Sequence, residues 1–544
     1  MKIVLYIIIF ISFLKLQGYS QQFEWVKQGK GAHYGSAQGQ LMCKDTDGYV
    51  YVAGLFSDSL SFGSIVFLAP NPAPTQHRSG YFIMKIDSSG TIIWTVVQDW
   101  QMSSMCCSDN GNIYLTGGKK MACYDTDGNL TWLKTISGNG FQGMYDIAAD
   151  ASGNLYIAGG FMQEVDFGDS SLTGDFYLHN HGFLAKYSIG GDFIWARMIE
   201  ADENGSIHLS KVAVKNSKVF VSGWIMGRAK FGVLPDTVTV TSHPRDNGIR
   251  SFDMVLASFN TDGTFTWAQK GGGALDDDVW DISATENSIY LVGSYNTAAT
   301  FGMGSNTITL TSPGFENTFI TRYDHSGKPL WAKDIKKIKG IMYCRTITVD
   351  ENGDVLVGGG FDDSISIENT IYTTQNLENA FNIFVSKFSS NGDFQWITQT
   401  KSFTDVFSGS MVSDILSDKQ GHCYATGLFS GQTAFGSIIL ESDYYQDAFI
   451  ARIKNGNAVG ISNHSDLNTS LRLYPNPSSG RFSVSSDVRR TFNICVFDIL
   501  GNCILDKTPL QNEQQIDLSN QAKGMYFVEI SAGGETVVKK ISLQ

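Results

Sequence analysis

The chain is poor in charge, in proline and in long apolar runs. Only 17% of its 544 residues are charged, and there are ten prolines. With 57 glycines and 12% aromatics, this composition excludes a disordered or long-helical chain and favours short strands joined by tight turns. An excess of cations is missing too. A formal charge of −13 excludes nucleic acid and anionic membrane surfaces as partners, because both require basic patches. Beyond Leu14 no apolar stretch approaches membrane length, so the mature chain is expected to have no transmembrane segment. The eight cysteines lack the Cys-x-x-Cys or His/Cys spacing of a zinc site. Cys43, Cys107, Cys344 and Cys423 sit in strand-like runs as small apolar side chains. The pair best placed for a bridge is Cys495 and Cys503, on either side of a turn. Catalytic signatures are also lacking. His33, His77, His179, His181, His208, His243, His325 and His422 are scattered, without a Gly-x-Ser-x-Gly elbow or a His-Glu-x-x-His run. A non-enzyme is expected over an enzyme.

What is present is repetition. An element of the form Asp-x-x-Gly-x-x-[Tyr/Phe]-aliphatic-x-Gly recurs, with drift, seven times: Asp45–Gly54, Asp109–Gly117, Asp150–Gly159, Lys215–Gly223, Thr285–Gly293, Asp350–Gly358 and Asp418–Gly427. A second element, two strands about a Gly turn with the latter centred on Trp, recurs at Trp94, Trp132, Trp195, Trp267, Trp331 and Trp396. The seventh copy stops at Ile453 without its Trp strand, whereas Phe23-Glu24-Trp25-Val26 is an orphan one. An N-terminal strand completing the last unit closes a ring and removes free sheet edges. The expected fold is therefore all-β. It is a seven-bladed β-propeller over 21–456, its last blade closed by residues 23–29. In the third unit the four strands are placed at Gly143–Ala149, Asn154–Gly160, Gly182–Ser188 and Asp192–Met198, and each Trp is read as a spacer between blades. The repeat resembles the SBBP type of β-propeller repeat, which implies a fold and not an activity.

Between the second and third strands, five units add a Phe-Gly pair: Phe62-Gly63, Phe167-Gly168, Phe231-Gly232, Phe301-Gly302 and Phe435-Gly436. These inserts are expected to form hairpins whose Phe packs back on the blade, on the same face as the connectors between blades. Recognition is expected on that face. There His33, Tyr34, Trp100, Phe141, Phe403 and Phe407 would give an aromatic channel mouth able to stack on sugar rings. Asp276, Asp277 and Asp278 follow three glycines in a connector, and Ca²⁺ is the cation that such a carboxylate cluster would suit, although no Asp-x-Asp-x-Asp-Gly loop is present. No other cofactor is expected. The Asp45-Thr46-Asp47-Gly48 and Asp125-Thr126-Asp127-Gly128 runs occupy hairpin slots and read as turn chemistry.

The two ends carry addresses. Lys2, the apolar run Ile3–Leu14 and Gly18-Tyr19-Ser20 before Gln21 read as a signal peptide over 1–20. After a polar linker at 457–470, the final residues contain Tyr474-Pro475-Asn476-Pro477 with Gly480, then Gly501, Gly524, Tyr526 and the terminal pair Lys539-Lys540. This order of motifs over 471–544 resembles the C-terminal sorting domain of the type IX secretion system. The resemblance implies a small Ig-like antiparallel sandwich, recognition by the secretion machinery and delivery through the periplasm to the outer cell surface or the medium. Taken together, the chain is expected to be a monomeric, exported propeller acting as a binding or adhesion module for an extracellular protein or glycan. A polysaccharide lyase or hydrolase at the channel mouth, or a presenting scaffold in a surface assembly, are the alternatives.

Overall fold

The computed structural model describes residues 23–454 and 471–544, apart from 33–34, 71–78, 110, 175–178, 204, 234–235, 245–250, 313, 315, 375–379, 405–408, 487–490, 499–502, 512 and 533–534. Among the described residues every regular element is a strand, and every paired strand is antiparallel to its neighbour. The chain divides into two compact units, residues 1–455 and 456–544.

The first unit is built from seven four-stranded meanders. Meander 1 comprises Ala37–Lys44, Val50–Ser57, Ser79–Ile86 and Ile92–Gln98, and meander 2 comprises Ser104–Cys107, Ile113–Gly117, Lys120–Tyr124 and Leu130–Thr135. Meander 3 comprises Phe141–Ala149, Leu155–Phe161, His181–Tyr187 and Phe193–Ala201, each strand within three residues of its sequence-based bounds. Meanders 4, 5 and 6 begin at Ser206–Lys215, Asp278–Ala284 and Met342–Val349. Meander 7 runs Met411–Ser417, Cys423–Phe435 and Ile438–Ile453, and its fourth strand is Phe23–Gly31, registered with Trp25 opposite Arg452 and Gly29 opposite Ala448. The first strands of meanders 1 to 7 adjoin one another in chain order, and that of meander 7 lies against that of meander 1. The order closes on itself.

The turn chemistry follows the sequence. In meander 3 the Asp150 carboxylate accepts the amides of Ser152 and Asn154, both at 2.9 Å; Asp125, Asp350 and Asp418 do the same in their own turns, and Asp45 accepts the Tyr49 amide. Each fourth-strand Trp lies between neighbours. Trp94 Nε1 donates to the Thr126 carbonyl in the next meander's turn at 2.9 Å, while its ring meets Tyr51 of its own meander at 5.8 Å. Trp25 repeats both contacts, with Ser88 at 3.1 Å and Tyr424 at 6.1 Å, so the N-terminal strand is chemically a fourth strand of meander 7. The glycine of each Phe-Gly pair has positive φ, between 60° and 96°, which Gly alone adopts without strain. Its Phe is buried against a ring of its own meander, as in Phe301 on Phe319 at 4.9 Å and Phe435 on Phe449 at 5.2 Å. The insert backbones do something the composition does not announce. Those of meanders 1, 4, 5 and 6 pair with the end of the preceding meander's fourth strand, as in Glu200 with Lys230 and Gly272 with Thr300.

One expectation is corrected. Cys43 and Cys107 are joined as a disulfide, Cα atoms 5.7 Å apart, across 64 residues of sequence. Both occupy first strands, and closure brings the first strands of consecutive meanders side by side, an adjacency that spacing does not reveal. Cys503 has its side chain outside the described residues, and its backbone is registered with Phe497 rather than Cys495.

The second unit is a three-stranded sheet, Leu471–Tyr474, Arg481–Ser486 and Glu513–Asp517, and a four-stranded one, Cys503–Gln511, Thr491–Phe497, Gly524–Ala532 and Glu535–Leu543. Alternate residues of both, including Phe482, Val484, Ile494, Val496, Ile516, Val528 and Ile541, share one core.

Candidate functional site

The innermost strands depart from regular pairing at one repeated place. Six of the seven first strands carry a bulge between Gly39 and Leu41, Met144 and Asp146, Leu209 and Lys211, Val279 and Asp281, Cys344 and Thr346, and Val412 and Asp414. A bulge inserts an unpaired residue and re-aims the side chains around it. The inserted residues are Gln40, Tyr145, Ser210, Trp280, Arg345 and Ser413.

The residues after the bulges stitch neighbouring first strands together. Asp146 accepts the Val212 amide at 2.7 Å, Asp281 the Ile347 amide at 2.9 Å, and Asp414 the Met42 amide at 2.7 Å, each from the next meander around the ring. Ser104 adds its hydroxyl to Asp146, Thr346 Oγ1 lies 3.2 Å from Asp414, and Lys211 Nζ lies 3.6 Å from Asp281. Burial, with the Asp281 charge behind it, pushes Asp414 up to about 7. Burial also raises Asp146 against the pull of Lys211. For Lys211 burial acts downward, but the charges of Asp281, Asp146 and Asp414 outweigh it and hold the ammonium above its ordinary range. This belt is a structural network, with its carboxylates engaged by amides, hydroxyls and one lysine.

Beside the belt the inserted residues form two aromatic clusters. Tyr145 stacks on His208 at 4.2 Å, His208 stacks on Trp224 at 5.4 Å and 5°, and Trp224 meets Phe252 at 4.6 Å. Burial lowers the His208 pKa, and its buried Nδ1 has no hydrogen-bond partner among the described residues. In meanders 5 and 6, the Arg345 guanidinium carbon lies 5.1 Å from both the Trp280 and the Tyr343 ring centres. Tyr343 in turn stacks on buried Phe381 at 6.2 Å and 10°. Trp280 is 36% exposed, although it stands on an innermost strand, and Arg345 is exposed. Among the described residues the Arg345 guanidinium makes neither a hydrogen bond nor an ion pair.

The site residues expected from sequence fall elsewhere. His33, Tyr34 and Phe407 lie outside the described residues. Trp100 and Phe141 are each 8% exposed and belong to cores, so they do not form an open aromatic mouth. Both are large apolar side chains at the entry to a first strand, where packing between meanders claims them. Phe403 is 40% exposed, with Lys401 Nζ 5.2 Å from its ring centre. Asp276 accepts the Phe252 amide, Asp277 those of Gly273 and Asn296, and Asp278 that of Val279. Burial pushes Asp277 up to about 8 and Asp278 up to about 6. Among the described residues no group of three or more His, Cys, Asp or Glu side chains is placed to hold a metal ion. Sequence reasoning missed the bulge residues. The available signal was the recurrence of Asp146-Ile147, Lys211-Val212, Asp281-Ile282, Thr346-Ile347 and Asp414-Ile415, a polar residue mid-strand in otherwise apolar strands.

A second polar cluster lies at the insert of meander 4. His243 Nδ1 is 2.7 Å from Asp253, which is fully buried and also accepts the His243 amide at 2.7 Å. Lys270 Nζ stands 3.8 Å from the same carboxylate, and burial lowers its pKa.

In the tail, Asn476 ties the Tyr474–Pro477 motif to the terminal strand. Its Nδ2 donates to the Lys540 carbonyl at 2.7 Å and its Oδ1 accepts the Ser542 amide at 3.1 Å. Tyr526 is buried with its hydroxyl on the Ala522 carbonyl, and Gly480, at φ 116°, approaches Ser519 so closely that a Cβ would stand 2.6 Å from its Cα. Gly524 also has positive φ, Lys540 is exposed, and Gly501 lies outside the described residues.

Residues 472–544 match the family model described as the secretion system C-terminal sorting domain. That domain marks proteins exported by type IX secretion to the cell surface or the extracellular space, and it engages the secretion machinery. The chain is also similar to an uncharacterized WD repeat-containing protein, L264, of Acanthamoeba polyphaga mimivirus, 25% identical over an alignment of 201 residues that covers 32% of this chain. The match spans only 14% of that relative. Among solved structures it is similar to a protein of unknown function from Dyadobacter fermentans, with 10% identity, a TM-score of 0.36, and coverage of 80% of this chain and all of the other. A member of the duf4221 family from Bacteroides vulgatus follows at 12% identity and a TM-score of 0.29, covering 66% of this chain and 94% of that one. Among the described residues no helix is long and apolar enough to cross a membrane.

Proposed function

We propose that, after removal of a signal peptide at 1–20, residues 21–456 form a seven-bladed β-propeller of SBBP-like repeats, latched by its N-terminal strand. A linker at 457–470 then leads to an Ig-like sorting domain at 471–544. The exported propeller acts outside the cell as a binding module for a glycan or a protein, using the channel mouth ringed by the bulge residues. The closed order of seven first strands and the Trp25 contacts support the fold. The observation that carries the function is the partly exposed Trp280 and exposed Arg345 on innermost strands, where packing alone would favour small or buried side chains. Exposed aromatic and Arg side chains grouped in one recess are what recognition sites use. The test is capture of surface glycans and proteins by the mature chain. Trp280→Ala should lose the captured ligand while its unfolding midpoint stays within the wild-type range. Equal capture by both would refute the assignment of the mouth.

The second reading, a polysaccharide-acting enzyme, has one observation in its favour: the buried Asp253 orients His243 as an acid would orient a general base. Turnover of a polysaccharide by the wild type that disappears in His243→Asn would establish it. Binding without turnover leaves the module reading in place.

A further inference from the structure

We infer that Arg345, held between Trp280 and Tyr343, receives the carboxylate of an acidic sugar, so that the channel mouth takes a uronate-bearing glycan. The inference rests on the binding-module reading above and adds to it the ligand class. An arginine presents five donors in a rigid planar fork that matches a carboxylate in two parallel hydrogen bonds. Here the fork has no partner among the described residues, and the Trp280 and Tyr343 ring centres each lie 5.1 Å from its central carbon. A guanidinium that meets aromatic rings through cation–π contact keeps its N–H donors for a carboxylate. Trp280 supplies a flat, 36% exposed apolar surface, its ring centre 5.1 Å from the guanidinium carbon. A pyranose uronate combines the two complementary features, a face of C–H groups and a carboxylate at the ring's edge.

The surrounding charges fit a single carboxylate. Asp281, next to Trp280, is engaged by the amides of Ile347 and Ile282 and faces Lys211 at 3.6 Å, so it does not compete for Arg345. Asp414 is engaged by the amides of Met42 and Ile415. Polyphosphates and nucleic acids call for several cations at once, whereas this cluster offers one. A neutral sugar would offer the arginine fork only uncharged acceptors, without the paired oxygens of a carboxylate. A flat protein partner fits less well, since the cluster stands on innermost strands.

The experiment titrates the mature full chain with tetramers of galacturonate, glucuronate and mannuronate, with the methyl ester of the tetramer that binds best, and with a neutral tetramer. Binding is read by calorimetry and by tryptophan fluorescence. An acidic tetramer should bind, and esterification should weaken it about 10- to 100-fold, as expected for lost hydrogen bonds to a charged group. Arg345→Gln should weaken the acidic tetramer equally and leave the ester unchanged, and Trp280→Ala should weaken both. Unfolding midpoints recorded for each variant separate loss of the site from loss of the fold. Equal binding of acid and ester, no effect of Arg345→Gln in a folded variant, or no binding of any acidic tetramer by the wild type overturns the inference. The broader reading survives such a failure where a neutral glycan is bound, or a protein captured, through Trp280. If nothing is captured, both fall.

Discussion

At Asp414 and Asp277 the fold holds carboxyls whose pKa values, about 7 and about 8, lie well above the ordinary value near 3.9. Burial is the first cause in both. Across about pH 4 to 8 the native state therefore binds more protons than the unfolded chain, and stability falls as pH rises through that window. Turn carboxylates act oppositely. Asp87 and Asp324 are held below the ordinary value by hydrogen bonds from their own turns, which outweigh burial, so their contribution is lost as the solution becomes more acidic than about pH 4. On these groups the first unit should be most stable near pH 4. Asp414→Asn should carry a constant cost at all pH values but flatten the decline between pH 5 and 8 by on the order of 2–3 kcal/mol. All ten tryptophans lie between Trp25 and Trp396, so fluorescence-monitored unfolding of the full chain reports this unit alone. A decline as steep in the variant as in the wild type would remove Asp414 from the account.

Between elements, the same closure that was legible in sequence produced what was not. The counts of seven Asp-Gly elements and six downstream Trp strands, with Trp25 left over, were sufficient to place the last strand, because sheet edges and repeats obey local chemistry. The Cys43–Cys107 disulfide, the pairing of inserts with the preceding meander and the ring of bulges all lie between units, where a sequence has no local signal. Trp100 and Phe141 misled for the same reason: an aromatic at the entry to a first strand reads as an exposed loop residue until its neighbour is placed. Two predictions belong at this scale. The disulfide closes a 64-residue loop, for which the chain-entropy model gives about 4 kcal/mol, so reduction or Cys43→Ser should lower unfolding stability by roughly 2–4 kcal/mol in denaturant titrations. Trp25→Ala removes the Tyr424 ring contact and the Ser88 hydrogen bond and should cost about 3 kcal/mol, the low end for a large aromatic because Trp25 is only partly buried. A loss as small as that of a surface substitution would mean that Phe23–Gly31 does not latch meander 7.

At the scale of the whole chain, the strand that closes the first unit comes from its beginning, whereas the export address comes from its end. Had the last meander been completed by residues after Ile453, removing the tail would have opened a sheet edge along Ile438–Ile453. With Phe23–Gly31 on that edge, no strand after Ile453 among the described residues belongs to the seven meanders. Deleting 471–544 should therefore leave the fluorescence-monitored unfolding free energy unchanged within about 0.5 kcal/mol, while the protein no longer reaches the cell surface. The finer test separates the tail's fold from its message. Asn476→Ala breaks the two hydrogen bonds that hold the Tyr474–Pro477 motif to the Lys540–Ser542 backbone and should destabilise the tail by about 1–2 kcal/mol without touching the tryptophan signal. If the machinery reads the motif and the terminal strand as one surface, surface display measured on intact cells should fall in Asn476→Ala while the exposed Lys540 remains. Normal display with a destabilised tail would show that the motif is read separately from the last strand, and a changed tryptophan transition in the deletion would show that the two units are not independent.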